Sequence, residues 1–240
     1  MIRSFRSYLA CVPLLGALCL LVTPARATDS LGEALSRLAP SADPRVIDLA
    51  VKASECAQTQ GGVPSDRLAV IDYSRPSSQP RLWVFDTVKR KLLFQELVAH
   101  GKNSGDANAT RFSNAPESLA SSIGLFRTSD TYMGKNGYSL RMTGLEQGVN
   151  DQALARAIVI HGAAYVNEAM AKVAGRIGRS WGCPAVRTAV AHELIDALKG
   201  GQMVFSYYPD RRWLASSQYL KCTGGQLAKA EANTATRAGI

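Results

Sequence analysis

Apolar spacing divides the chain into a short helical lead and a long series of strand-like runs. Leu31, Leu35 and Leu38 recur at helical spacing over residues 29–38. A second helix is marked by Asp43 as N-cap and Pro44 at its first position. Val46, Leu49, Ala50, Ala53, Cys56 and Ala57 share its apolar face, and Gly61-Gly62 is its stop. From Leu68 the period shortens. Residues 68–73, 81–86 and 91–98 read as strands, the last two joined as a hairpin through Val88-Lys89-Arg90. Residues 101–122 form a polar loop, of a length that in compact domains is commonly functional or mobile, and it is expected to wall one side of a cleft. Ile123-Gly124-Leu125-Phe126 starts another strand and 138–145 a further one, ending in Gly144. Asn150-Asp151 is expected to cap a short helix through Arg156, leading into the apolar run 157–160. Helices are expected over 165–173 and 188–199, the latter with Val190, Leu194, Ala197 and Leu198 inward and His192 outward, before a closing strand at 202–208. The pattern predicts a mainly β domain with peripheral helices, an α+β arrangement.

The N-terminus changes this picture. Arg3 and Arg6 precede an apolar stretch over 8–22, and Ala25-Arg26-Ala27 has the small-x-small form of a cleavage site. Residues 1–27 are therefore expected to be a removed signal peptide, leaving no membrane span. Residues 28–66 would be a helical segment packed on the domain, 67–222 the catalytic domain and 223–240 a disordered Ala/Thr/Lys-rich tail. The chain has 28 Lys and Arg against 19 Asp and Glu, a formal net charge of +9, and stays positive without Arg3, Arg6 and Arg26. That balance suits an anionic polymer or membrane surface. No basic cluster or binding motif points to nucleic acid. With three scattered His and no Cys-x-x-Cys or His-x-x-x-His, no metal site is expected, and no phosphate loop or dinucleotide fingerprint implies a cofactor.

The chemistry concentrates between Ile160 and Val186. The run Ala157-Ile158-Val159-Ile160 reads as a buried strand from whose end His161 emerges. Ser180-Trp181-Gly182-Cys183-Pro184 supplies a turn in which Gly182 can adopt a backbone conformation closed to other residues. A thiol of ordinary pKa, about 8.5, needs a base or a positive charge to become a nucleophile at neutral pH. An imidazole offers both, and proton transfer would leave a His161–Cys183 ion pair. The bland alternative is an inert buried Cys and a satisfied core His.

His161-Gly162, a long interval and Ser180-x-Gly182-Cys183 resemble the signature of the L,D-transpeptidase (YkuD-like) catalytic domain family, which remodels bacterial peptidoglycan. The resemblance runs roughly over 68–208. Trp181 stands where that family usually has a second His, and Pro184-Ala185 replaces an apolar-then-polar pair, as in a divergent murein L,D-transpeptidase branch. The resemblance implies a YkuD-like β-sandwich and L,D-transpeptidation of peptidoglycan stem peptides in the periplasm or cell wall. Acyl transfer would pass through a Cys183 thioester with His161 as base, a backbone carbonyl orienting it. The amides of Gly182 and Cys183 would hold the oxyanion. The alternatives are an L,D-carboxypeptidase or amidase using the same pair, and a non-catalytic wall-binding module.

Around this pair, Arg179 can meet a substrate carboxylate through two hydrogen bonds or be a solvated surface Arg. Ser180 is expected to serve its own turn, Trp181 to wall the pocket, and Tyr165 and Arg141 to contact substrate. His100 is expected either to line the site or to hydrogen-bond structurally. Removal of Cys11 and Cys19 with the leader leaves Cys56, Cys183 and Cys222; with the nucleophile free, the pairing is Cys56 with Cys222. The other reading has Cys56 as a small core residue and Cys222 as a free thiol.

Overall fold

A computed structural model describes residues 29–60 and 64–222. The expected signal peptide, the Gly61-Gly62 stop and the tail lie outside the described residues.

Two helices open the fold. Helix α1 (Leu31–Leu38) starts in a capping box, Ser30 accepting from Glu33 N–H while the Glu33 side chain accepts from Ser30 N–H. Helix α2 (Pro44–Thr59) has Asp43 at its N-cap, the side chain accepting from Arg45 N–H, and Pro44 where its missing N–H is harmless. The strands follow: β1 (Arg67–Asp72), β2 (Leu82–Asp86), β3 (Lys91–Glu96), β4 (Val98–Ala99), β5 (Gly124–Gly134), β6 (Gly137–Gly144), β7 (Val159–Gly162), β8 (Ala185–Val186) and β9 (Met203–Tyr207). Helices α3 (Glu168–Ala174), α4 (Thr188–Leu198) and α5 (Arg211–Ser216) complete the described elements. None of the described helices is long and apolar enough to cross a membrane.

The mainly β class with peripheral helices matches the expectation. All nine described strands belong to one sheet in the order β3-β2-β1-β9-β5-β6-β7-β8-β4. Its two edge strands, β3 and β4, are consecutive in the chain and separated only by Leu97. The sheet therefore curls until one passage of backbone serves both edges, which is how a sandwich turns a corner. Residues 91–98, expected as one strand, break here: Glu96 pairs with Leu82, whereas Val98 pairs with Val186. Leu97 is buried with Ala163, Val166 and Ile177.

Strand alternation sorts the core. From β1, Leu68 and Val70 pack against α1, α2 and Trp213, while Ala69 and Ile71 face the interior with Phe126, Ile160 and the α4 residues Leu194, Ile195 and Leu198. The buried face of α4 is Ala191, Leu194, Ile195 and Leu198, one step round from the expected set. Cys56 and Cys222 are joined, Cα atoms 5.9 Å apart, tying α2 to the end of the described chain.

Two sequence expectations fail for identifiable reasons. Residues 151–157 form turns rather than a helix. The Asn150 side chain does not cap it; it accepts from Glu146 N–H at 2.8 Å and donates to the Ile123 and Leu125 carbonyls, both at 3.0 Å. Strand β5 runs beyond the expected 123–126 into a hairpin with β6, crossing an irregularity between Thr128 and Thr131 that hides its period in the sequence.

Candidate active site

Strand β7 carries His161 between two neighbours, Ser139 of β6 and Ala185 of β8. At Gly162 a Cβ would stand 2.8 Å from the Ala191 Cβ, so the glycine lets α4 press against the strand end. His161 is buried, and its Nδ1–H donates to the Gly162 carbonyl at 3.0 Å. A carbonyl can only accept, so Nε2 carries the lone pair and is the basic nitrogen. Burial holds the imidazole pKa below its ordinary 6.5, against the smaller opposing effect of that carbonyl.

The turn holding Cys183 is stitched to the polar loop on both sides. Ser180 N–H donates to the His100 carbonyl at 2.9 Å, and Lys102 N–H to the Ser180 carbonyl at 2.8 Å. The Ser121 hydroxyl donates to the Gly182 carbonyl at 3.1 Å and accepts from Gly101 N–H at 3.0 Å. Within the turn, the Ser180 hydroxyl donates to the Cys183 carbonyl at 2.6 Å and accepts from Gly182 N–H at 3.1 Å. The Gly182 amide, expected to hold an oxyanion, is thus occupied by Ser180. Among the described hydrogen bonds the Cys183 amide has no partner and is the one left for that task.

Gly182 has φ +126°, and a Cβ there would lie 2.9 Å from both the Ala120 carbonyl oxygen and Ile158 Cδ1. Gly182→Ala is expected to displace the turn, slowing acylation of Cys183 about 10²-fold and lowering stability by about 1–3 kcal/mol. Acylation rates beside denaturant midpoints test this; wild-type kinetics in the variant would show that the turn tolerates a side chain.

Cys183 is half-buried, and its thiol donates to the Ala157 carbonyl at 3.6 Å. Burial pushes the thiol pKa up from its ordinary value, opposed by the Val159 N–H and the Arg156 charge. No described hydrogen bond joins Cys183 to His161. Both shifts favour the uncharged forms, because burial penalises each ion, so the ion pair expected after proton transfer is opposed by desolvation of both groups.

Both side chains open on one cavity of about 710 Å³, walled by Trp181, Tyr165 and Arg156 together with Tyr132, Lys135 and Asn136 at the tip of the β5–β6 hairpin. Trp181 is 74% exposed, with the Lys102 ammonium 5.7 Å from its ring centre. Arg179 also reaches the cavity, but its Nη1 donates to the Gly105 carbonyl at 2.9 Å and pairs with Asp106 at 3.5 Å, so it anchors the loop. Tyr165 lines the wall, its phenol pKa pushed up to about 12 by burial and by Cys183. Arg141, expected at the substrate, does not line this cavity: its guanidinium pairs with Asp130 and lies over the Tyr132 ring at 4.0 Å. His100 is fully buried behind the turn. Its Nδ1 accepts from Arg81 at 2.7 Å, and burial followed by the Arg81 charge lowers its pKa to about 4. Sequence reasoning missed Arg156 and the hairpin tip, since neither carries a motif and the tip follows a hidden strand.

A model of the L,D-transpeptidase catalytic domain matches residues 38–207, and the chain belongs to that family. Among solved structures it is similar to an L,D-transpeptidase from Mycobacterium smegmatis, at 13% identity and TM-score 0.37, over 60% of this chain and 59% of that one. It is also similar to L,D-transpeptidase 1 of Mycobacterium tuberculosis, at 14% identity and TM-score 0.34, over 60% and 62%. For the L,D-transpeptidase (Yku) from Stackebrandtia nassauensis the values are 15% and 0.36, over 75% and 90%. The chain spans less than two thirds of the length of the two mycobacterial proteins. Among curated proteins none matches it.

Proposed function

We propose that this chain is an exported cysteine acyltransferase that cross-links peptidoglycan stem peptides by L,D-transpeptidation. The observation carrying the reading is the shared cavity, in which Cys183 on a glycine turn and His161, oriented by a backbone carbonyl, meet the same space. His161 Nε2 takes the thiol proton as sulfur attacks the carbonyl of the L-centre of the stem. The Cys183 N–H faces the developing oxyanion, a donor whose loss typically costs about 3 kcal/mol of barrier. Collapse of the tetrahedral adduct releases the D-amino acid, which takes its proton from the imidazolium and leaves a thioester. An amine of a second stem, deprotonated by His161, resolves it. Trp181 and Tyr165 wall the cavity beside the reacting carbonyl. Export to the periplasm or cell wall is supported by the leader pattern over 1–27 and by the Cys56–Cys222 bond, which an oxidising compartment favours.

The test is product analysis on purified muropeptides. Dimers are expected; trimmed monomers would make water the acceptor, and binding without change would leave a wall-binding module.

The same geometry sets a pH dependence. A base must be unprotonated, so acylation is lost as pH falls through a pKa below 6.5, that of His161. Burial keeps the thiol protonated into the alkaline range, so the rate is expected to be level from above the His161 pKa until the thiol ionises. A pH profile of kcat/KM reads both limbs, and an acidic limb at or above 6.5 would argue for a different base.

A further inference from the structure

Arg156 takes no part in the reaction as described. It sits in the turns before β7, and its two terminal nitrogens make four hydrogen bonds. Nη1 donates to the Ser113 carbonyl and the Ser122 hydroxyl, both at 2.6 Å. Nη2 donates to the Ser118 hydroxyl at 3.0 Å and the Ala120 carbonyl at 2.7 Å. All four acceptors are neutral, and no ion pair among the described residues includes this guanidinium. Each terminal nitrogen already makes two bonds, so Arg156 has no fork left for a substrate carboxylate. What it retains is an unpaired, half-buried positive charge.

That charge lies beside the nucleophile. The Ala120 carbonyl oxygen bound by Nη2 would stand 2.9 Å from a Cβ on Gly182, the residue before Cys183. The Cys183 thiol donates to the carbonyl of Ala157, the residue after Arg156. Arg156 also lines both the cavity containing Cys183 and an adjoining one of about 370 Å³ beyond Trp181.

We propose that Arg156 is a positioning residue that supplies a fixed cation to the Cys183 thiolate as His161 removes its proton, while clamping the 113–122 loop against the nucleophile turn. The proposal rests on Cys183 as nucleophile. The other titratable or charged groups facing the thiol are His161, Tyr132, Tyr165, Arg179 and Lys135 around the cavity, and Tyr73 behind it. Arg179 is paired with Asp106 and Lys135 is exposed, so their charges are neutralised or screened by water. Arg156 is neither.

The test is the pH dependence of Cys183 alkylation by iodoacetamide, followed by mass spectrometry of the Cys183 peptide in the full chain. It needs no peptidoglycan, so failure of this proposal is separable from failure of the functional reading, which muropeptide products report. Arg156→Gln is expected to raise the midpoint by about one pH unit, a tenfold smaller thiolate fraction below it. Arg156→Lys, which keeps the charge, is expected to stay within about half a unit of wild type. Ser118→Ala combined with Ser122→Ala removes two clamp bonds and keeps the charge, and should leave the midpoint in place. A folded Arg156→Gln with an unchanged midpoint overturns the proposal, as does a serine variant that moves it equally. Should Arg156→Gln fail to fold, Arg156→Met, which keeps the stem and removes the charge, decides: a midpoint raised by about one unit supports the proposal and an unchanged one overturns it.

Discussion

Cys183→Ala is expected to lower muropeptide turnover by on the order of 10⁴-fold or more, because no other described thiol opens on the cavity and the residual rate would come from binding and the oxyanion donor alone. Intact-mass analysis of the wild type with a carbapenem-type β-lactam should show one adduct, mapping to Cys183; the variant should show none. The fold should persist. The thiol is half-buried and makes one long bond, to the Ala157 carbonyl, so its removal is expected to cost about 1 kcal/mol or less. Loss of activity with an unchanged denaturation midpoint therefore separates chemistry from stability. An active Cys183→Ala protein would falsify the assignment of the nucleophile.

Opening the Cys56–Cys222 bond is expected to produce the largest loss of stability. Its residues are separated by 166 positions, and all nine described strands lie within the ring it closes. For loops of that size the chain-entropy estimate is roughly 4 to 5 kcal/mol, an upper figure because strain and residual structure subtract from it. Cys222→Ser suits the test better than a change at Cys56, which is fully buried where a hydroxyl would lack water. Relative to untreated wild type, the urea midpoints of the variant and of reduced wild type should fall together. Reductant leaves a free nucleophilic thiol untouched, so carbapenem acylation of folded protein should survive it. A midpoint unmoved by both treatments would mean that packing of α2 on β1 and β9 alone holds the helix.

What the sequence revealed, and what it hid, follows from the range of the interactions. Asp43-Pro44 announced the start of α2 because capping is decided by groups two residues apart. His161 and Cys183 were legible because each sits beside a glycine with a backbone task, Gly162 under α4 and Gly182 at φ +126°. The break at Leu97 left no local trace: a stretch that reads as one strand over 91–98 changes pairing partners only because β2 and β8 lie next to opposite edges of the curled sheet. Asn150 looked like a cap, yet its side-chain amide donates to Ile123 and Leu125, distant in the chain. Arg141 and Arg179 read as substrate contacts from their type alone, and their donors were taken by Asp130 and by the 101–122 loop. Arg156 was silent for the converse reason, since its significance depends on four neutral oxygens that only folding brings together.

Inside the sheet β1 runs parallel to β9, with Leu68 opposite Met203. These strands come from opposite ends of the described chain, so the β3-β2-β1 meander keeps one edge unpaired until nearly all of it has been synthesised. Closing a contact across that separation belongs to the slow class of folding steps. A chain emerging N-terminus first has already made the 101–122 loop, His161 and Cys183 before the strand that completes the sheet. A polypeptide interrupted before Met203 holds both His161 and Cys183 and lacks the strand that joins the β3-β2-β1 meander to β5.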